Sequence, residues 1–259
     1  MGAMSSLAFA SLLRAPNPGP MTLDGTNTWI LGAPGSASVA VVDPGPPDRD
    51  HLKAIEAAGP IELILLTHRH LDHCEGVDGL LERTGSVPVA AADPALCRGV
   101  APLRDQDRIE VAGVTIEVLA TPGHSSDSVC LLATAGADRG VCTGDTILGR
   151  GTTVVAWPDG DLGDYLATLD RLATLDGVPA LTGHGPVRPD CGKIAREYRA
   201  HRDERLVQVR AALSDGARTP ADVVAYVYPD LEPALVPAAE WTVRAALAYL
   251  APDADRNST

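Results

Sequence analysis

The sequence is short of aromatic residues, of lysine and of positive charge. Only 3% of its 259 residues are aromatic, with a single Phe, and lysine occurs twice against nineteen arginines. Few aromatics leave little surface for stacking nucleic-acid bases. Lys and Arg total 21 against 34 Asp and Glu, a formal net charge of −13, which excludes broad, nonspecific nucleic-acid binding over the whole surface. No apolar run approaches the roughly 20 residues of a membrane span, and no basic segment leads into an apolar one as in a secretory leader. Cys74, Cys97, Cys130, Cys142 and Cys191 are odd in number and never in Cys-x-x-Cys spacing. We read them as free thiols in a reducing compartment, and the location as cytoplasmic. Cys74 follows a histidine cluster and reads as a buried filler rather than a soft metal ligand. Met1-Gly2-Ala3-Met4-Ser5-Ser6 fits the pattern for N-terminal myristoylation; we read Met1-Gly2-Ala3 as a cloning remnant ahead of a native start at Met4.

What is present is a chain that is 45% hydrophobic and long enough to bury a large core. Short apolar segments read as strands at 6–13, 27–31, 38–42, 61–66, 87–91, 108–111, 114–119, 129–133, 140–142 and 179–181. Helical spacing appears at 50–58, 76–82 and 161–175, the last through Leu162, Leu166, Leu169 and Leu172. From Cys191 the character changes to three helical patterns, at 194–213, 220–226 and 237–250, with Thr219 as a candidate N-cap and Pro220 at the first helical position. The tail from Pro252 reads as frayed. The layout is an α/β catalytic body over 1–190 with a helical appendage over 191–259.

Seven histidines occur, and five fall in one recurring setting. Thr67-His68-Arg69-His70-Leu71-Asp72-His73 begins where the apolar segment 61–66 ends. In extended chain i and i+2 face one side, so His68 and His70 can converge; the turn that follows lets Asp72 and His73 face a neighbouring point. The segment 114–119 runs into Thr121-Pro122-Gly123-His124, 140–142 into Thr143-Gly144-Asp145, and 179–181 into Thr182-Gly183-His184-Gly185. Each places one ligand-type residue in a glycine-bearing loop after a strand. Imidazole and carboxylate are the usual ligands of zinc and similar divalent metals. The remaining histidines, His51 and His201, lie in helical patterns and read as surface residues. Lys193, Arg196, Arg199, Arg202, Arg205 and Arg210 lie along one helix among acidic residues, mainly as a solvated face. Arg196 and Arg199 are its candidates for contacting an anionic substrate.

This constellation resembles the metallo-β-lactamase superfamily, whose signature is His-x-His-x-Asp-His followed by a His, an Asp and a His. The resemblance implies a four-layer αββα sandwich over about 6–190 and two divalent metals, zinc first, with manganese or iron as alternatives. His68, His70 and His124 would hold the first and Asp72, His73 and His184 the second, with Asp145 bridging. The bridging Asp sides with the glyoxalase II, lactonase and nuclease branches rather than the true lactamases. A narrower resemblance lies in residues 17–29, Asn17-Pro18-Gly19-Pro20-Met21-Thr22-Leu23-Asp24-Gly25-Thr26-Asn27-Thr28-Trp29. They are similar to the opening of the lactamase-beta-2-like group, which carries a winged-helix-like appendage and has single-stranded RNA endonucleases among its members. Here nine residues follow Leu250, with no strand pair to make a wing.

Two such metals, about 3.5–4 Å apart, would share a hydroxide that attacks a carbonyl or phosphoryl centre. Asp145 would bridge, and Asp72 would also orient the hydroxide or handle its proton. Two divalent cations, two aspartates and one hydroxide leave a local charge of about +1, which attracts an anionic substrate even on an acidic body. The expected function is a hydrolase of small esters, thioesters or lactones. The alternative is a single-strand-specific endoribonuclease, and a noncatalytic metal-bound interaction module ranks last. Expected partners are a small carbonyl or anionic substrate, single-stranded RNA in the alternative, and no membrane.

Overall fold

A computed structural model describes residues 7–251. The start at Met1-Gly2-Ala3 and the tail from Pro252 lie outside the described residues. Ten strands form two five-stranded sheets. The first has the order β1 (Ala10–Arg14), β2 (Asn27–Leu31), β3 (Val39–Val42), β4 (Ile61–Leu65) and β5 (Val89–Ala90). The second has the order β10 (Ala180–Thr182), β9 (Asp138–Gly144), β8 (Val129–Ala135), β7 (Val114–Ala120) and β6 (Arg108–Val111). β3, β4 and β5 run parallel, with α1 (Arg49–Glu56) crossing between β3 and β4, and α2 (Leu71–Cys74) and α3 (Val77–Thr84) between β4 and β5. The second sheet is an antiparallel meander from β6 to β9, closed by the parallel β10.

Side-chain alternation along the strands sets the layers. Trp29, Leu31, Val42, Leu63 and Leu65 meet Val114, Ile116, Val118, Leu131 and Leu181 between the sheets. The opposite face of the first sheet, through Ile30, Val41, Ile64 and Val89, packs on Leu52 and Ile55 of α1 and on Val77 and Leu80 of α3. The opposite face of the second packs on α4 (Leu162–Leu172) and α5 (Cys191–Ser214), and this cluster extends through α6 (Pro220–Val227) to α7 (Val236–Leu250). The result is the four-layer αββα sandwich, with a helical C-terminal region. The helices start where side chains satisfy their free N–H groups: Asp48, Asp161 and Asp190 cap α1, α4 and α5, and Thr219 with Asp222 forms a capping box on α6. No strand occurs after Cys191 among the described residues. No helix among them is long and apolar enough to cross a membrane.

Strand direction gathers one edge of the molecule. β7, β9 and β10 point the same way, because β8 is antiparallel to both β7 and β9 and β10 is parallel to β9. Their C-terminal ends meet the C-terminal end of β4 and the start of β2, which runs opposite to β3. Hydrogen bonds stitch the sheets together at this edge: Val129 N–H donates to the Thr67 carbonyl (2.8 Å), and Asn27 N–H to the Gly183 carbonyl (2.7 Å).

His51 is not a surface residue. It is 5% exposed and shares the inner face of α1 with Leu52 and Ile55. There its Nε2 lies 2.9 Å from the Thr28 hydroxyl, which donates to the Asp43 carbonyl. His201 is half-buried, its Nε2 accepting from Arg205.

All five cysteines are free. Burial raises the thiol pKa of Cys74 and Cys130 to about 11 and pushes those of Cys142 and Cys191 higher still. Cys97 is only half-buried. Alkylation of the native protein at pH 8, followed by peptide mapping, should therefore modify Cys97 and leave the other four intact. Modification of Cys74 at a comparable rate would contradict this.

Candidate metal centre

The loops that leave β4, β7, β9 and β10 bring all seven sequence-predicted ligands to the shared edge. Two groups of three take in six of them, and a third group, His68, His73 and Asp145, overlaps both. His68 Nε2 lies 3.1 Å from His70 Nδ1, which lies 3.0 Å from His124 Nε2. Asp72 Oδ2 lies 3.4 Å from His73 Nε2 and 3.2 Å from His184 Nε2, and the two imidazole nitrogens are 3.2 Å apart. Asp145 stands between the groups. Its Oδ2 is 3.8 Å from His124 Nε2, while Oδ1 is 3.5 Å from His73 Nε2 and 3.3 Å from His184 Nε2. Ligand atoms in each triad lie within 4.8 Å of one another, the spacing of groups that can hold one ion. Gly183 is required for this close approach: a Cβ there would sit 2.7 Å from Asp145 Oδ1 and 2.8 Å from His73 Cε1.

The outer nitrogens of the histidines decide what the inner ones present. His124 Nδ1 lies 2.7 Å from the Val154 carbonyl, and His184 Nδ1 3.4 Å from the Gly25 carbonyl. Carbonyls only accept, so both Nδ1 atoms carry protons. His73 Nδ1 is 2.9 Å from Asp43 Oδ2. His68 Nδ1 is 3.0 Å from the Thr67 hydroxyl, whose own proton goes to Asp43 Oδ2 (2.7 Å). All four neutral imidazoles therefore turn Nε2 lone pairs inward, where they face one another and carboxylate oxygens. Asp145 Oδ1 is buried and has no aligned hydrogen-bond donor. Such convergence is repulsive unless positive charge sits among these atoms, and the donor set of neutral imidazole and carboxylate suits divalent metal.

Titration in the metal-free protein follows the same logic. Burial, reinforced by the neighbouring imidazoles, holds His68 well below its ordinary pKa and lowers His70. Burial also opposes charge on His73 and His184, but Asp145 outweighs it, joined by Asp43 and Asp72 at His73 and by Asp72 at His184. His73 is raised well above its usual value and His184 to about 9. Burial works against ionised Asp72 and Asp145 as well, yet His73 and His184 bring Asp72 to about 2 and Asp145 well below the carboxylate range. Without metal, protons supply the positive charge that the second triad needs.

The centre is not uniformly enclosed. His68, His73, His124 and His184 are buried, while His70 and Asp72 are partly open, and Leu71 between them is 67% exposed. Trp157, 38% exposed, lies on the loop that hydrogen-bonds both Nδ1 and the backbone carbonyl of His124. Arg69, in the His loop, binds Asp159 of this loop and Asp127 and the Ser126 hydroxyl of the loop after β7.

Arg196 and Arg199 are not brought to the triads. Arg196 pairs with Asp176 and the Ala173 carbonyl, and Arg199 with Asp170 and Asp203. Arg202 of the same row is buried, donates to the Thr153 carbonyl and lies over the Tyr165 ring. Cys74 lies outside both triads, its Sγ donating to the Arg69 carbonyl. Sequence reasoning missed Asp43, which supports His73 and Thr67 at once. Asp43-Pro44-Gly45 reads as an ordinary turn, but the setting is the same as for the ligands: an apolar strand, β3, ending in a glycine-bearing loop at this edge.

The model of the metallo-beta-lactamase superfamily matches residues 21–96 and 98–184. A beta-lactamase-like protein 2 homolog from Caenorhabditis elegans is 33% identical over 243 residues, covering 89% of this chain and 77% of that protein. An atrochrysone carboxyl ACP thioesterase from Aspergillus chevalieri is 34% identical over 209 residues, covering 78% of this chain and 64% of that one. Among solved structures, a metallo-beta-lactamase family protein from Thermus thermophilus superimposes with a TM-score of 0.76 at 26% identity, over 93% of this chain and 92% of that one. A protein solved in a di-iron-bound form gives 0.54 at 27% identity, over 68% and 94%.

Proposed function

This chain belongs to the metallo-beta-lactamase superfamily, and on that premise we propose that it hydrolyses acyl thioesters at a centre of two divalent ions. The observation that carries the reading is Asp145, whose two oxygens face the two triads separately. His68, His70 and His124 would hold one ion, Asp72, His73 and His184 the other, and Asp145 would join them. Zinc, manganese and iron all suit these ligands. The ions, when bound, would polarise the acyl carbonyl and make a water nucleophilic near neutral pH.

The chain's own residues do the rest. The buried imidazoles are each fixed by the outer nitrogen, so their Nε2 atoms are held in place. Asp72 is the partly open acid, placed to orient the attacking water and take its proton. The triads themselves contain only histidines and aspartates, and of the aspartates Asp72 is the more open, so it is the acid of the triads best placed to help the leaving group. A thiol of pKa near 8.5 leaves as thiolate with little such help, whereas an alkoxide needs a proton. Thioesters therefore suit the centre better than simple esters. The exposed, apolar Leu71, between His70 and Asp72 in the chain, suits the organic part of an acyl group, and a relative named as an acyl-carrier thioesterase points the same way. Single-stranded RNA fits less well, because Arg196 and Arg199 are engaged by carboxylates.

The deciding experiment sets metal-reconstituted enzyme against a thioester, a lactone, a phosphodiester and labelled single-stranded RNA in parallel. Thioester hydrolysis should dominate, disappear on chelation and return on adding zinc, manganese or iron. Cleavage of RNA with the thioester untouched would overturn the proposal.

A further inference from the structure

The segment at residues 17–26 has no part in the chemistry above, yet it touches the second triad twice. Gly25 offers its carbonyl to His184 Nδ1, and the Thr26 hydroxyl lies 3.1 Å from Asp72 Oδ2, the oxygen that faces His73 and His184. The direction of that last bond follows from Asn17. Thr26 N–H donates to Asn17 Oδ1 (2.9 Å), which fixes the side-chain amide and leaves Nδ2 to donate to Thr26 Oγ1 (3.0 Å). The hydroxyl has a single proton. Since Asn17 supplies a donor, that proton goes to Asp72. The loop is also held tightly. Thr22 Oγ1 donates to the Asn17 carbonyl (2.5 Å), Ala15 N–H donates to the Thr26 carbonyl (2.8 Å), and Arg150 grips Asp24 through two bonds of 2.5 and 2.8 Å. Gly25 has φ +120°, and a Cβ there would come within 2.1 Å of the Ala15 carbonyl oxygen. The first triad is held by a different set of outer partners, Thr67, Thr153 and Val154, none of them in this segment.

We propose that Asn17 and Thr26 are positioning residues for the second ion alone, Asn17 orienting the Thr26 hydroxyl and Thr26 fixing the ligating oxygen of Asp72. This rests on the two-ion reading. Outer partners of metal ligands typically change affinity by about 10–100-fold when removed, and here the loss should fall on one ion and spare the other. Thr26→Val keeps the shape and removes the proton, Thr26→Ser keeps the proton, and Asn17→Ala removes the group that orients it.

The test is titration of metal-stripped protein with Zn²⁺ by calorimetry, with elemental analysis after dialysis. Wild type and Thr26→Ser should bind two equivalents. Thr26→Val and Asn17→Ala should bind one as wild type does and the other about 10–100-fold more weakly. Two unchanged affinities in Thr26→Val, or an equal loss at both, overturn the assignment while leaving the two-ion centre standing. One equivalent bound by the wild type removes the two-ion reading, and this assignment with it.

Discussion

Asp145→Asn should lower kcat/KM by about 10³-fold, roughly 4 kcal/mol of transition-state stabilisation, with the far-ultraviolet circular dichroism unchanged. This carboxylate faces both triads, with one oxygen toward His124 and the other toward His73 and His184. An amide of the same shape keeps one oxygen and replaces the other by an NH₂ that cannot ligate. Whichever way it turns, one triad loses its link, and the NH₂ hydrogens enter a space that the buried imidazoles have filled with lone pairs. Bound metal should fall from two equivalents toward one. Steady-state kinetics with elemental analysis reads both effects, and wild-type activity in this variant would remove Asp145 from its bridging role.

The second large effect is expected at a residue that touches no ion. Asp43 Oδ1 accepts from Thr67 N–H (2.8 Å), while Oδ2 accepts from the Thr67 hydroxyl and from His73 Nδ1. Asp43→Asn keeps the first bond and turns an NH₂ toward His73. Nδ1 must then accept, so the proton moves to Nε2, the atom that faces Asp72, His184 and Asp145. The ligand would be present in the wrong tautomer. By analogy with other buried Asp–His pairs, where this exchange costs about 10⁴ in rate, kcat/KM should fall by about 10²–10⁴, and affinity for one ion by at least about tenfold. Nitrogen NMR of the imidazoles reads the tautomer directly. His73 still protonated at Nδ1 in Asp43→Asn, with unchanged ion affinity, would show that Asp43 does not set it.

The contrast between these two residues shows what the sequence made legible. All seven ligands follow an apolar segment, His124, Asp145 and His184 in loops with glycine and His68, His70, Asp72 and His73 in one dense cluster that runs into α2, so strand-end position and residue type suffice to find them. Asp43 has the same setting but resembles a turn, and its importance lies in a contact to His73 thirty residues away. Thr26 and Asn17 act on Asp72 across a still longer separation, and no local periodicity records such a contact. His51 was legible in principle: it is four residues before Ile55, on the inner face of α1, and only its polarity suggested solvent. The partners of Arg196 and Arg199 were hidden for the opposite reason. A row of charges displays the helix face it lies on, and nothing in the row names Asp170 and Asp176 on other elements as its partners. The layers were legible because buried strands and amphipathic helices alternate as an αββα sandwich requires. Strand ends were less so: β9 starts at Asp138 rather than Gly140, because pairing with β8 continues to Ala135 opposite Asp138.

Both triads draw on both sheets. His68, His70, Asp72 and His73 come from the end of β4, while His124 and His184 come from β7 and β10, so each triad straddles the seam. An ion bound there is a rivet between the two halves of the sandwich and is lost when they part. Its binding free energy then adds to the stability of the whole fold, by about 2.7 kcal/mol for each site at a free-ion concentration one hundred times its dissociation constant. The melting temperature should climb with free metal in the absence of any substrate, and thermal denaturation becomes a gauge of how full the centre is.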